Sequence, residues 1–195
     1  MEPTDRVRTL PWLILVVVGG VLALMWLIEI VDTAALDSRL QTHGIEPRRI
    51  DGLEGVLFAP VLHGGWAHIT SNSVPFLVLG ALVMTYGLQR WIIATATITF
   101  VGGSLTWLLA RSGIHIGASI LVFGYFGFLL GVAWFERSLK SIGIAVVVAA
   151  LYGGLIWGVV PSGSGVSWEG HLFGAVAGIV AAYLTSRPAP EPADT

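Results

Sequence analysis

Two residues in this chain carry side chains that together could perform acyl transfer. Ser119 follows Gly117 and Ala118 at the mouth of the apolar segment 118–135, and His171 follows Gly170 at the mouth of the apolar segment 170–185. A neutral imidazole can take the proton of a hydroxyl as its oxygen attacks a carbonyl, then return that proton to the leaving amine. An ionisable group inside such a segment is costly and marks function, because hydrocarbon offers it no hydrogen-bond partner. Zero cysteines exclude a thiolate nucleophile, Cys-ligated metals and disulfides. No cofactor and no metal-ligand set is expected. Glu29 belongs to the first apolar segment and Glu169 to an interface, so a Ser–His dyad is more economical than a triad.

Residues that could stabilise the oxyanion of such a reaction also sit at a segment mouth. His68 and Asn72 are four positions apart, on one face of a helix. The Ser119 backbone N–H, at a helix start, adds a third donor with a favourable dipole. An interfacial helix start, with Asn72 bonding across helices, is an equally good reading of His68 and Asn72 alone.

The elements that must position these groups follow from composition. The chain has 195 residues, 55% of them hydrophobic and 11% charged, with a mean hydropathy of +0.82. These are the values of a polytopic membrane protein, since about 20 apolar residues suffice to cross a bilayer. A formal charge of -2 and the lack of any Lys/Arg run argue against a nucleic-acid partner. Six spans are expected: 11–31, 67–86, 91–110, 118–135, 142–160 and 170–185. The first exceeds the apolar core of a signal peptide, and more spans follow it. Between spans one and two lies the longest polar connection, whose own apolar stretch Val56 to Leu62 predicts a structured loop on or in the membrane surface. A leader (1–10), one membrane domain (11–187) and a disordered tail (188–195) complete the chain, with no internal repeat.

Placing the N-terminus inside puts Arg6, Arg8, Arg90, Arg137, Lys140 and Arg187 on the inner side, against Arg39, Arg48, Arg49 and Arg111 outside. Both termini are therefore expected in the cytoplasm. Ser119, His171 and Asn72 then precede the inner-boundary charges Glu136, Arg187 and Arg90 by 17, 16 and 18 positions, or roughly 24–27 Å of helix. Three polar residues on three spans share one depth. Span six repeats glycine at Gly170, Gly174 and Gly178, and span four has Gly127 and Gly131, patterns that let backbones approach closely. Packing without chemistry would also account for these glycines.

The string His63-Gly-Gly-Trp66-Ala-His68-Ile-Thr-Ser-Asn72, then Gly117-Ala118-Ser119, then Gly170-His171-Leu-Phe-Gly174-Ala-Val-Ala-Gly178 resembles the rhomboid intramembrane serine proteases. The likeness covers about residues 44–185, including the run Gly44-Ile-Glu-Pro-Arg48. It implies an all-α, six-helix bundle with a long structured first outer loop, in a bacterial plasma membrane. It implies a serine endopeptidase with Ser119 as nucleophile and His171 as general base and acid. The oxyanion donors would be His68, Asn72 and the Ser119 backbone, with His63 at the approach to span two and Gly117 before the serine. Phe123 would stack on the catalytic histidine, and Gly174 would give the tight contact with span four. The implied partners are the lipid bilayer and transmembrane segments of other membrane proteins, cut near their outer ends.

One position departs from the family pattern: Ile120 stands where a glycine usually follows the serine. It keeps its N–H but adds bulk, so a reduced rate or altered substrate choice is expected. A second reading is an inactive relative that binds transmembrane clients. A transporter or channel would instead spread polar groups along a path through the bundle. Pro75 is expected to kink the top of span two and the Gly/Ser-rich connection 161–168 to act as a lid, although a packing kink and a short connector are an equally good reading of the two.

Overall fold

The computed structural model describes residues 11–161 and 165–186. The leader, the tail after Ser186 and the centre of the 161–168 connection lie outside the described residues. The described chain is all-helical, with one isolated β-bridge between Ile45 and His115.

Among the described residues five helices are long and apolar enough to cross a membrane: α1 (Pro11–Ala35), α2 (Trp66–Met84), α3 (Leu88–Leu109), α4 (Ser119–Glu136) and α5 (Leu139–Val159). The last apolar segment forms α6 (Trp168–Thr185), whose first turn holds Glu169 and His171 and lowers its apolarity. A π turn, Ile14–Val18, lies within α1, and a second, Ile98–Gly102, within α3. The final stretch of α5 tightens to a 3-10 helix, Gly153–Val159.

Polar residues do not end α1 where composition suggests. The helix passes Glu29 and Asp32, both buried, and continues to Ala35. Asp32 accepts the Leu40 N–H at 2.8 Å and so fixes the turn that follows. Trp26 ties this helix to α2, its indole N–H donating to Ser73 Oγ at 3.0 Å.

α4 has the largest buried share of the five helices and α5 the smallest. α4 is therefore the axis of the bundle, and α5 presents Val146, Val147 and Leu151 outward, as a lipid-facing helix must. α6 lies along α4 with no room for side chains between them. A Cβ on Gly174 would collide with the Ile120 carbonyl oxygen, one on Gly178 with the Gly124 carbonyl oxygen, and one on Gly127 with the Ala175 carbonyl oxygen. At the opposite end from Ser119, Arg90 pairs with Glu136 at 2.7 Å and Lys140 donates to the Thr85 carbonyl at 2.9 Å.

Residues 36–65 fold as short helical turns: Arg39–His43, Ile50–Gly52, Gly55–Phe58 and Ala59–Val61. They dock on the end of α3 and on the approach to Ser119. Arg48 carries its guanidinium to the Ala110 carbonyl at 2.6 Å, capping α3, and Trp107 Nε1 donates to the Arg49 carbonyl at 2.8 Å. Arg48 adopts φ 61°, a left-handed conformation held by its own N–H donating to the Trp107 carbonyl at 2.9 Å.

The seam predicts its own fragility. Gly178→Leu should cost roughly 3 kcal/mol or more by overpacking, lowering the thermal midpoint in detergent by about 6–12 °C. Gly143, where an added Cβ would meet nothing within 4 Å, is the control: Gly143→Leu should leave the midpoint nearly unchanged. Equal midpoints for the two variants would show that the α4–α6 seam is not what holds the bundle.

Candidate active site

Gly117 turns the chain into α4 with φ 117°, a conformation suited to glycine, and its N–H donates to the Ala59 carbonyl at 2.9 Å. Space demands glycine as well, because a Cβ there would stand 2.6 Å from His68 Cε1 and Nε2. The next N–H, of Ala118, donates to His63 Nε2 at 3.3 Å. Ser119 then begins α4, whose first turn has no side-chain cap, leaving the serine N–H among the unsatisfied first-turn donors. Among the described residues the Ser119 hydroxyl makes no hydrogen bond.

One cavity of about 490 Å³ is lined by Ser119, His171, His68, Asn72 and Phe123. His171 is fixed in two ways. Its ring stacks on Phe123 with centroids 4.0 Å apart and planes at 7°. Its Nδ1 lies 2.9 Å from the Gly158 carbonyl oxygen, which can only accept, so the neutral ring carries its proton on Nδ1 and keeps the lone pair on Nε2. That Nε2 is the basic atom.

His68 has the opposite arrangement. Its Nδ1 accepts the Gly64 N–H at 3.2 Å, so its proton sits on Nε2, which with Cε1 forms the ring edge facing Gly117. Asn72 spends one amide hydrogen on the His68 carbonyl at 3.1 Å and retains a second. Two side-chain donors and a basic nitrogen thus border the cavity that Ser119 lines. α2 continues through Pro75, which lines the same cavity.

Of the residues singled out by sequence, Ser119, His171, His68, Asn72 and Phe123 meet at this cavity, while Gly117 and His63 shape the turn before the serine. Gly174 lies one turn below His171, against the Ile120 carbonyl. Ile120 does not line the cavity. It is buried, with Cγ1 3.1 Å from where a Gly174 Cβ would be, and it borders a separate void of about 20 Å³ behind Ser119. The bulk that departs from the family pattern is absorbed in the α4–α6 seam. Gly158 escaped sequence reasoning: it supplies a backbone carbonyl, and a Cβ there would press on Phe123 and lie 3.2 Å from His171 Nδ1. A glycine in an apolar run gives no signal of that. Glu169, in the first turn of α6, is only 3% exposed. Of the expected lid, residues 162–164 lie outside the described residues, and its flank from Gly165 to Ser167 walls the cavity.

A model of the Rhomboid domain family matches residues 52–188. The chain belongs to the rhomboid family. The Mycobacterium tuberculosis protein Rv1337 is 47% identical over 186 residues, 88% of this chain and 77% of that protein. ML1171 of Mycobacterium leprae is 44% identical over 199 residues, 95% of this chain and 77% of its own length. RHOMBOID-like protein 4 of Arabidopsis thaliana is 32% identical over 132 residues, 65% of this chain and 33% of that protein.

His63 gives this rhomboid domain a pH dependence. Burial, reinforced by neighbouring His68, holds its imidazole down to about 4 from the ordinary 6.5. The unfolded chain takes up a proton as pH falls through 6.5, and the folded one does not until about 4. Stability is therefore flat above 6.5 and declines between 6.5 and 4, by about 3 kcal/mol in total. His63→Gln keeps an acceptor for the Ala118 N–H and does not titrate. Thermal midpoints measured from pH 7 to pH 4 should fall more steeply in wild type than in this variant, and parallel curves would contradict a buried neutral His63.

Proposed function

We propose that this chain is a rhomboid-type intramembrane serine endopeptidase that cuts peptide bonds in or near transmembrane segments of other membrane proteins. The observation that carries the reading is the setting of His171. Phe123 and the Gly158 carbonyl fix the ring so that its basic nitrogen is Nε2, in a cavity that Ser119 also lines.

In this mechanism Ser119 Oγ attacks the scissile carbonyl carbon while His171 Nε2 takes the hydroxyl proton. The oxyanion accepts hydrogen bonds from His68 Nε2–H, the second Asn72 amide hydrogen and the Ser119 N–H. As the C–N bond breaks, His171 returns the proton to the leaving amine. A water then attacks the acyl-serine ester, giving its proton to His171, and the Ser119 hydroxyl is restored. His63 and Gly117 hold the turn that presents Ser119, and Gly174 holds α6 at its height on α4.

The membrane arrangement belongs to the same proposal. Residues 11–187 form one domain, α6 crosses as the sixth span, and the 36–65 segment lies on the outer side. Both termini are cytoplasmic and the host membrane is the plasma membrane. An inactive, client-binding relative is the second reading, favoured by the absence of a hydrogen bond on the Ser119 hydroxyl among the described residues.

Purified protein treated with a fluorophosphonate probe separates the two. Wild type should label and should cleave a transmembrane reporter. Ser119→Ala should do neither, and His171→Ala should slow both on the order of 10³-fold or more. Labelling that survives Ser119→Ala would refute the nucleophile, and an inert wild type would favour the client-binding reading.

A further inference from the structure

The seven residues from Arg111 to Gly117, between α3 and Ser119, are bound to the chain that opens α6. The Arg111 N–H donates to Glu169 Oε1 at 3.2 Å, and Arg111 Nε lies 3.7 Å from the same oxygen. The Arg111 guanidinium also donates to the Val166 carbonyl. Further along, His115 Nδ1 meets Ser167 Oγ at 2.6 Å, and His115 Nε2 lies 3.0 Å from the Arg111 carbonyl.

The tautomer follows from that carbonyl, which can only accept. His115 carries its proton on Nε2, so its Nδ1 accepts from the Ser167 hydroxyl. The same Ser167 oxygen accepts the Gly170 N–H at 3.3 Å, capping α6 immediately before His171. The His115 backbone pairs in both directions with Ile45, at 3.0 and 2.9 Å, so the ring is held from a rigid base. Two of these groups are out of water, His115 at 6% exposure and Glu169 at 3%. Glu169 is kept there although its Oε2 is buried with no partner among the described residues, a cost that a helix start in contact with water would avoid.

We propose that His115, Ser167 and Glu169 are positioning residues that set the height of His171 relative to Ser119. The proposal rests on the Ser119–His171 reading above. None of the three is assigned a step of the reaction. His115 stands four residues before the nucleophile and Ser167 four residues before the base, so their hydrogen bond spans the two strands of chain that deliver the reacting groups. Glu169 and Arg111 lock the same junction from the α3 side. The seam at Gly174 and Gly178 fixes α6 along α4, and this clamp fixes its frayable first turn.

The test uses the full chain in detergent and in liposomes, with a transmembrane reporter and a fluorophosphonate probe. Ser167→Ala, His115→Ala and Glu169→Gln should each lower kcat by roughly 10- to 100-fold, the cost of misplacing a reacting group by about 1 Å, while KM changes by less than about 2-fold. Ser167→Thr, which keeps the hydroxyl, should recover most of the rate. The double variant of His115→Ala and Ser167→Ala should be no slower than the worse single one, since both remove one bond. Should His115→Ala fail to fold, Ser167→Ala removes the same bond with the smallest change and decides the matter. Wild-type labelling rates in all three single variants would overturn the proposal, as would rate losses that add in the double variant or that Ser167→Thr does not recover. A wild type that neither labels nor cleaves removes the dyad reading, and the proposal with it.

Discussion

The contact on which the rest of this structure depends is backbone on backbone: Gly174 against the Ile120 carbonyl, and Gly178 against the Gly124 carbonyl. In lipid, apolar side chains gain nothing by leaving hydrocarbon, so helices associate through close packing and short polar contacts. Two glycines four residues apart, each seated on a carbonyl, allow one axial register between α4 and α6 and resist sliding by a residue either way. The consequence for the site is direct. Ser119 is the residue before Ile120, and His171 stands three before Gly174, so a single contact places the proposed nucleophile and base within a turn of each other.

Around that seam, the histidines are differentiated by what the backbone offers them. His68 has a backbone N–H on one nitrogen and is left as a donor on the other, whereas His171 has a backbone carbonyl on one nitrogen and is left as a base. Their side chains are identical, and the local chain decides which way each ring is protonated. His63, between a buried N–H and the neighbouring ring of His68, is kept neutral and serves the turn. The low-dielectric setting makes these assignments rigid, since a wrong tautomer would leave a buried carbonyl or N–H unpaired.

This division explains what could be read from sequence. Side-chain identity and spacing sufficed to recognise the rhomboid family, because Ser119, His171, His68 and Asn72 are named by their own chemistry and ordered by the chain. The apolar runs located the spanning candidates within a few residues. They ended the first span at residue 31, whereas α1 runs on through Asp32 to Ala35, since a carboxylate can stay in a helix when a loop N–H caps it. The least apolar of the six helices is α6, and the cause is Glu169 and His171 themselves: polar residues in a first turn weaken the apolar signal of the helix they open. Gly158 and Arg48 were illegible for another reason. Gly158 acts through its carbonyl and Arg48 through carbonyls at the end of α3, and no side-chain pattern announces a backbone partner far along the chain.

Ile120 shows how the seam tolerates change. A residue following the serine on α4 has two surfaces to fill, the cavity above and α6 beside it. The isoleucine goes to α6, where Gly174 presents no side chain, and the cavity is left to Ser119, Phe123 and Val122. What touches Gly174 most closely is the residue-120 carbonyl, which every amino acid possesses. Close approach therefore depends on a glycine from α6, and position 120 is free to carry bulk so long as Gly174 does not. Glycine at both positions would leave the seam under-packed beside the existing void of about 20 Å³, and in a close-packed interior the lost contacts would weaken the same junction that aligns Ser119 with His171.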